Sequence, residues 1–166
     1  MTRREFFGMA SVGVVAIAIA GHRALTGPTA DVADANLRIR HTDAEWRAKL
    51  SPASYMVLRQ GDTEVPGSSP LVDEHRKGTF ACAGCDQPLF ASSTKFESHT
   101  GWPSFWDTLP NATTRRLDLT IARPRTEVRC SSCGGHLGHV FDDGPRPTGL
   151  RYCMNGVALV FHPANA

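Results

Sequence analysis

Five cysteines are the residues of this chain with the clearest capacity for chemistry, and their spacing divides them into four and one. Two C-x-x-C pairs, Cys82 with Cys85 and Cys130 with Cys133, each offer two thiolates from one tight turn. Four thiolates fill a tetrahedral zinc site. The spacing therefore predicts one structural zinc ion. The alternatives are two disulfide bonds in an oxidising compartment or a C-x-x-C redox centre.

The fifth cysteine, Cys153, lies in the stretch LRYCMN at 150–155, among polar and aromatic residues rather than aliphatic ones. In an extended segment alternate side chains share a face, which brings Arg151 and Asn155 beside the thiol. A cation on that face would lower the pKa of the thiol and raise the fraction of reactive thiolate. The stretch predicts a nucleophile, and the alternative is a small buried hydrophobic side chain.

Two histidines and a tryptophan are further candidates for chemistry. His136 and His139 directly follow the second cysteine pair. Because four thiolates would already complete a metal site, these imidazoles are left for proton transfer or for orienting a substrate. Trp102 lies in the aromatic stretch 101–106, and such a stretch most often packs in a core. An exposed indole face would instead accept a methyl or sulfonium-like group.

The elements that must position these residues are two helices followed by short strands. A capping box at 42–45 (TDAE) predicts the first helix, and Ser51 with Pro52 predicts the start of a second, which Gly61 ends. From Gly78 onward short apolar runs are interrupted by glycine and proline, as is typical of β-structure. The body is predicted to be mainly antiparallel sheet, with strands at 79–81, 117–121 and 157–161.

The first 24 residues differ in composition from the rest of the chain. Arg3 and Arg4 precede an uncharged run at 9–20, and the layout resembles a twin-arginine export signal. The run is shorter than the roughly 20 residues that cross a bilayer comfortably. We therefore expect a cleaved signal and a periplasmic or otherwise exported protein, with an inner-membrane anchor as the alternative. Residues 25–36 are predicted to be a linker, and 37–166 to be the folded domain.

Charge and size restrict the function of that domain. The net charge of +2 comes from the leader, since the remaining 15 basic and 15 acidic residues balance. A neutral body argues against a nucleic-acid surface and against a zinc-ribbon binding module. The length suits one domain with one active site, and we expect a monomer. Another enzyme on a related zinc-bearing β-scaffold remains a rival interpretation.

Four stretches of the chain, taken together, resemble one known family, the MsrB methionine-R-sulfoxide reductases, from about Trp46 to Phe161. The stretches are RKGTFACAGC at 76–85, GWPSF at 101–105, HLGHVFDDGP at 136–145 and PTGLRYCMN at 147–155. The resemblance implies a mainly β fold of two antiparallel sheets, of the β-tent type, with short N-terminal helices. It also implies a structural zinc ion distant from the active site.

The resemblance further implies a reaction. The Cys153 thiolate would attack methionine-R-sulfoxide, mainly in oxidised proteins or peptides, and release methionine. The sulfenic acid left on Cys153 lies on the reversible rung of thiol oxidation, and an external thioredoxin-like thiol would reduce it. Attack on sulfur needs a proton at the leaving oxygen, for which His139 is the first choice of donor and His136 the second.

The remaining site residues are likewise implied by the resemblance. Asn155 would lie with the histidines around the sulfoxide oxygen. Trp102 would hold the methyl group of the substrate. The substrate side of the site would be completed by Phe141, Arg151 and Asp143.

The sequence departs from the usual pattern of the family at two positions. Many members carry a resolving cysteine immediately before GWPSF, where this chain has Thr100. An internal disulfide at that point is therefore impossible. Serine is common after the CMN segment, where this chain has Gly156, so this chain lacks the hydroxyl that a serine would offer near the nucleophile.

Overall fold

The computed structural model describes residues 37–165. The leader and the linker predicted at 1–36 lie outside these residues. Among residues 37–165, no helix has the length and apolar character needed to cross a membrane.

The two helices begin and end at the residues that the sequence indicated. Helix α1 spans Asp43–Lys49, and its capping box is complete because Thr42 and Glu45 each accept a hydrogen bond from the other's backbone N–H. Helix α2 spans Pro52–Gln60 and ends at Gly61, whose φ of 73° is left-handed. Both predicted helices are confirmed.

Within the described residues 37–165, nine strands form two antiparallel sheets, and the two-sheet architecture is as predicted. One sheet has the order β2-β1-β9, and the other has the order β3-β4-β8-β7-β6-β5. The strands are β1 Gly78–Cys82, β2 Pro88–Ala91, β3 Lys95–Phe96, β4 Ser104–Phe105, β5 Thr113–Asp118, β6 Arg125–Cys130, β7 His136–Phe141, β8 Arg151–Met154 and β9 Leu159–Pro163. Short 3₁₀ turns lie at Pro70–Asp73, Ser92–Thr94 and Gly156–Ala158.

Aromatic side chains hold the two sheets together. Phe90 of β2 stacks on Phe105 of β4 with ring centroids 4.3 Å apart. Phe80 of β1 packs edge-on against the same Phe105 at 4.9 Å. All three rings are fully buried, and burial of each contributes about 1.5–3 kcal/mol relative to exposure. Phe105 is adjacent to Ser104 in β4, so this core anchors the strand beside the predicted nucleophile.

Two of the predicted strand boundaries are wrong, and side-chain hydrogen bonds explain both. The strand expected at 117–121 ends at Asp118, whose carboxylate accepts hydrogen bonds from the backbone N–H and the hydroxyl of Thr120 and so turns the chain. The strand expected from Val157 begins only at Leu159. The preceding residues form a 3₁₀ turn, because the carboxylate of Glu64 accepts their N–H groups.

Candidate active site and metal centre

Strand register places the predicted nucleophile in a row of polar side chains. Cys153 of β8 lies directly opposite Ser104 of β4 on one side and His139 of β7 on the other. His139 in turn lies opposite Glu127 of β6. Directly opposed residues of an antiparallel sheet project from the same face. The four side chains therefore line one face of the larger sheet.

The surroundings of the Cys153 thiol contain hydroxyls and a cation. Thr100 Oγ1 lies 3.8 Å from Cys153 Sγ, and Ser104 and Arg151 are near enough to lower the pKa of the thiol. Burial raises the pKa of the Cys153 thiol, and it outweighs the lowering by Thr100, Arg151 and Ser104. The sequence predicted a lowered pKa from Arg151. That cation acts in the expected direction, but the prediction of the net shift is wrong because loss of solvent dominates.

A carboxylate holds each of the two histidines. Nδ1 of His136 is 2.8 Å from Glu127 Oε1, and Nε2 of His139 is 2.7 Å from Asp118 Oδ2. Burial lowers the pKa of His139, against the opposing effect of the Asp118 hydrogen bond. The imidazoles lie 5.4 Å apart and line one cleft of about 480 Å³. Nε2 of His136 is buried with no hydrogen-bond partner among residues 37–165.

Trp102 and Asn155 are joined by a residue that the sequence analysis did not single out. The indole Nε1 of Trp102 donates to the carbonyl oxygen of Glu64 at 3.2 Å. The amide oxygen of Asn155 accepts the backbone N–H of Glu64 at 3.0 Å, and its Nδ2 donates to the carbonyl oxygen of Leu137 at 3.1 Å. Asn155 therefore joins the loop after α2 to β7, and its amide is engaged by backbone groups.

The other predicted substrate-side residues form a cluster at the end of β7. The guanidinium of Arg151 lies over the ring of Phe141, 4.6 Å from its centroid, and makes two hydrogen bonds of 2.8 and 2.7 Å to Asp143. Phe141, Asp143 and Arg151 line a second cleft, distinct from the one that the histidines line. Arg151 also interacts electrostatically with Cys153, so its charge links this cluster to the thiol.

The remaining four cysteines form the predicted metal centre. The sulfurs of Cys82, Cys85, Cys130 and Cys133 all lie within 4.8 Å of one another. Cys82 Sγ and Cys133 Sγ are 3.7 Å apart, and Cys85 Sγ and Cys130 Sγ are 3.6 Å apart. Zinc–sulfur bonds of about 2.3 Å at tetrahedral angles require sulfur separations of about 3.8 Å, whereas a disulfide requires about 2.05 Å. The geometry suits a shared metal ion.

Helix α2 supports this centre from one side. Gly135 lies two residues after Cys133, the last cysteine of the second C-x-x-C pair. The side chain of Leu58 packs so closely on it that a Cβ at position 135 would lie 2.9 Å from Leu58 Cδ2. Arg59 of the same helix donates to the carbonyl oxygen of Cys133 at 3.1 Å. The predicted N-terminal helices thus position the metal centre.

Comparison with known proteins agrees with this arrangement. The sequence model of the SelR domain matches residues 50–163. The chain is 50% identical over 127 residues to the peptide methionine sulfoxide reductase MsrB of Agrobacterium fabrum, covering 76% of this chain and 94% of that protein. It is 54% identical over 123 residues to the MsrB of Thiobacillus denitrificans, covering 74% and 93%. The chain belongs to the MsrB family.

The structure accounts for both departures from the common MsrB pattern. Thr100 occupies the position of the usual resolving cysteine and brings its hydroxyl, rather than a second sulfur, to Cys153. A Cβ on Gly156 would collide with the hydroxyl of Ser69. Ser69 caps the turn at Pro70–Asp73 by accepting the backbone N–H of Leu71. Its side chain thus fills the space that a serine at 156 would need.

Several functional contacts of this MsrB chain were missed by reasoning from sequence. Asp118 and Glu127 orient the histidines, yet in the sequence they are ordinary charged residues of two neighbouring strands, β5 and β6. Strand register alone would pair Glu127 with His139, which lies directly opposite it, whereas the hydrogen bond is made to His136. Glu64 lies in a loop, and its four contacts with Trp102, with Asn155 and with the turn after it leave no trace in any local pattern.

Proposed function

We propose that this MsrB protein reduces methionine-R-sulfoxide, mainly in oxidised proteins and peptides, with the Cys153 thiolate as nucleophile. The chain is a peptide methionine sulfoxide reductase by its family, at about half identity over nearly the whole length of its relatives. The observation that carries the proposal is the position of Cys153 between Ser104 and His139 on one sheet face. That position gives the thiol hydrogen-bonding groups on both sides.

The reaction moves one oxygen from the substrate to the enzyme. A lone pair of the thiolate attacks the substrate sulfur and forms a sulfur–sulfur bond while the sulfoxide oxygen takes up a proton. The resulting hydroxyl group then moves from the substrate sulfur to Cys153 as the new sulfur–sulfur bond breaks. An electron pair stays on the substrate sulfur, so the products are methionine and a sulfenic acid on Cys153. We assign the proton to the histidine pair, with His139 as the first choice because it is opposite Cys153. His136 is the second choice, and its unpartnered Nε2 favours it as a contact to the oxygen.

Substrate orientation falls to Trp102 in this proposal. Its indole is half-buried and tied to Glu64 by its Nε1, so the ring has a fixed orientation. A fixed, partly exposed indole face suits a methyl group bound to an electron-poor sulfur. Discrimination between epimers follows, because the methyl group and the oxygen must be placed on Trp102 and the histidines together.

Recycling requires a reductant from outside the chain. The four other cysteines are grouped at the metal centre, and Thr100 cannot form a disulfide. An external thioredoxin-like thiol would form a mixed disulfide with Cys153, and a second thiol would release the enzyme. We propose no bound cofactor in these steps.

We propose zinc as the ion held by Cys82, Cys85, Cys130 and Cys133. The support is the tetrahedral sulfur spacing and the softness of four thiolate ligands. When bound, zinc would supply folding free energy and no chemistry to the sulfoxide. The chain's own residues therefore carry every step of the reduction.

The test is a single-turnover assay with the two separated sulfoxide epimers. We expect the R epimer to yield one equivalent of methionine and the S epimer to yield none. Cys153→Ser should retain the fold and its metal and form no methionine. Normal turnover by this variant would exclude Cys153 as the nucleophile, and equal use of both epimers would exclude R specificity.

We also propose export through the twin-arginine route, on the sequence of 1–24 alone. That route carries folded proteins, so zinc could be loaded before the thiols reach an oxidising compartment. Changing Arg3 and Arg4 together to lysine should hold the protein in the cytoplasm with its leader intact. Normal export of this variant in cell fractionation would refute the route.

A further inference from the structure

A chain of three hydroxyl groups surrounds the Cys153 sulfur. Thr100 Oγ1 lies 3.8 Å from Sγ and 2.8 Å from Ser98 Oγ, which is in turn 2.7 Å from Ser104 Oγ. Ser104 is directly opposite Cys153 in the ladder. The three hydroxyls thus form a hydrogen-bonded chain that runs from Ser104 through Ser98 and Thr100 to the Cys153 thiol.

The direction in which each hydroxyl donates its hydrogen depends on whether Cys153 is a thiol or a thiolate. Ser104 donates its hydrogen to the carbonyl oxygen of Trp102 at 3.2 Å, because a carbonyl only accepts. With Cys153 as a thiol, the S–H can donate to Thr100, Thr100 to Ser98, and Ser98 to Ser104. Every hydrogen then has an acceptor, and no hydroxyl donates to the sulfur.

The thiolate needs a donor instead, and the same hydroxyl chain can supply one. Once the sulfur has lost its proton, Thr100 can rotate its hydrogen onto the sulfur, and Ser98 can turn its own hydrogen to Thr100. Hydroxyl hydrogens rotate freely about their C–O bonds, so no heavy atom has to move. The hydroxyl chain therefore fits either protonation state of Cys153 and gives the charged sulfur a donor in Thr100.

We propose that Thr100 is a catalytic residue that donates its hydroxyl hydrogen to the Cys153 thiolate, with Ser98 as a positioning residue for that hydroxyl. The proposal rests on Cys153 being the nucleophile and deepens that assignment. The position where many relatives carry a resolving thiol here stabilises the attacking one. Thr100 compensates for part of the burial that otherwise disfavours the charged sulfur.

The other titratable groups near Cys153 are Arg151, which is on the same strand, and His139, which is directly opposite Cys153 on the neighbouring strand β7. Neither is altered by removal of a hydroxyl. His99 precedes Thr100 but is exposed. A change of thiol titration in a Thr100 variant is therefore attributable to the hydroxyl.

The experiment is the pH dependence of alkylation of the zinc-loaded full-length protein by iodoacetamide, with no sulfoxide present. Intact mass identifies a single adduct, and its absence in Cys153→Ser assigns the adduct to that thiol. Thr100→Val should slow alkylation at neutral pH by about tenfold, since hydrogen bonds to charged groups are the strong ones. The rates should converge at high pH, where all thiols are ionised.

Two variants distinguish the effect of the Thr100 hydroxyl from the effect of side-chain packing. Thr100→Ser keeps the hydroxyl and should titrate like the parent, and Ser98→Ala should give a shift in the same direction, smaller than that of Thr100→Val. Thr108→Val is the matched control, because its hydroxyl donates only to the nearby Leu109 carbonyl. Identical titration of Thr100→Val and the parent would overturn the proposal, as would equal shifts in Thr100→Ser and Thr100→Val. Failure of Cys153 as nucleophile would appear separately, as turnover by Cys153→Ser.

Discussion

The metal centre and strand β8 both present cysteine sulfur, but in different surroundings. In the metal centre each sulfur has three other sulfurs within 4.8 Å, and Cys82 and Cys130 are fully buried. Cys153 is half-buried among hydroxyls and an arginine, and it is not part of that group. A sulfur among sulfurs is suited to hold a metal, and a sulfur among donors is suited to become a nucleophile. Neighbours, more than burial, set the role of a cysteine.

The largest effect should come from breaking the metal centre. Cys82→Ser or Cys130→Ser removes one of four ligands, and such sites contribute on the order of 10 kcal/mol to folding in small domains. We expect loss of zinc and of most cooperative unfolding, measured by metal content and thermal denaturation. Cys153→Ser is the matched control and should keep both. Equal metal content and equal stability of all three variants, each measured in the presence of zinc, would contradict the separation of roles.

Glu64→Gln should weaken the catalytic side alone. The two carboxylate oxygens accept the N–H groups of Gly156 and Val157 at 2.6 and 2.9 Å. In glutamine one of these oxygens is replaced by an NH₂ group, which donates hydrogen bonds and cannot accept them, so one of the two N–H groups loses its acceptor. We expect kcat/KM for the R epimer to fall about tenfold while metal content is unchanged. Glu97→Gln, at an exposed carboxylate, is the control. Similar kinetics of the two variants would deny Glu64 its role in placing Trp102 and Asn155.

A reciprocal exchange tests how the departure at Gly156 is accommodated. Gly156→Ser places a side chain onto the Ser69 hydroxyl, and overpacking of this kind costs about 1–3 kcal/mol. Adding Ser69→Gly should recover most of the loss, which denaturant unfolding of the two variants would measure. If the double variant is no more stable than Gly156→Ser, the two positions do not share this space.

The smallest predicted effect concerns the pKa of His139. Burial lowers this pKa, and the Asp118 carboxylate opposes the shift. Asp118→Asn removes that opposition, so the pKa should fall further, and the imidazole stays neutral to lower pH. NMR titration of the ring protons reports the change. A pKa that rises in the variant would mean that Asp118 does not stabilise the charged form.

Much of the fold could be predicted because its signals are local. The capping box at Thr42 and the left-handed Gly61 fix the helix ends through contacts within a few residues. The two C-x-x-C turns likewise fix four ligands. The end of β5 and the late start of β9 could not be predicted, since side-chain hydrogen bonds of Asp118 and Glu64 override the apolar pattern there.

The sequence allowed candidate site residues to be chosen, but it did not indicate which residues hold them in place. Cys153, His136, His139 and Trp102 stand out by residue type. Their partners come from other strands and loops. Which carboxylate meets which histidine depends on side-chain directions in the folded sheet, since Glu127 bonds His136 although His139 lies directly opposite it. The net pKa shift of Cys153 was missed for the same reason, because burial depends on the whole packed sheet.

The central claim is that Cys153 does the chemistry while the other four thiols stay at the metal centre. One turnover with methionine-R-sulfoxide and no reductant, followed by intact mass measurement, tests it most directly. The account predicts one added oxygen on Cys153, trappable by a sulfenic-acid reagent, with one equivalent of zinc retained. An internal disulfide between Cys153 and any of Cys82, Cys85, Cys130 or Cys133, with zinc released, would contradict it.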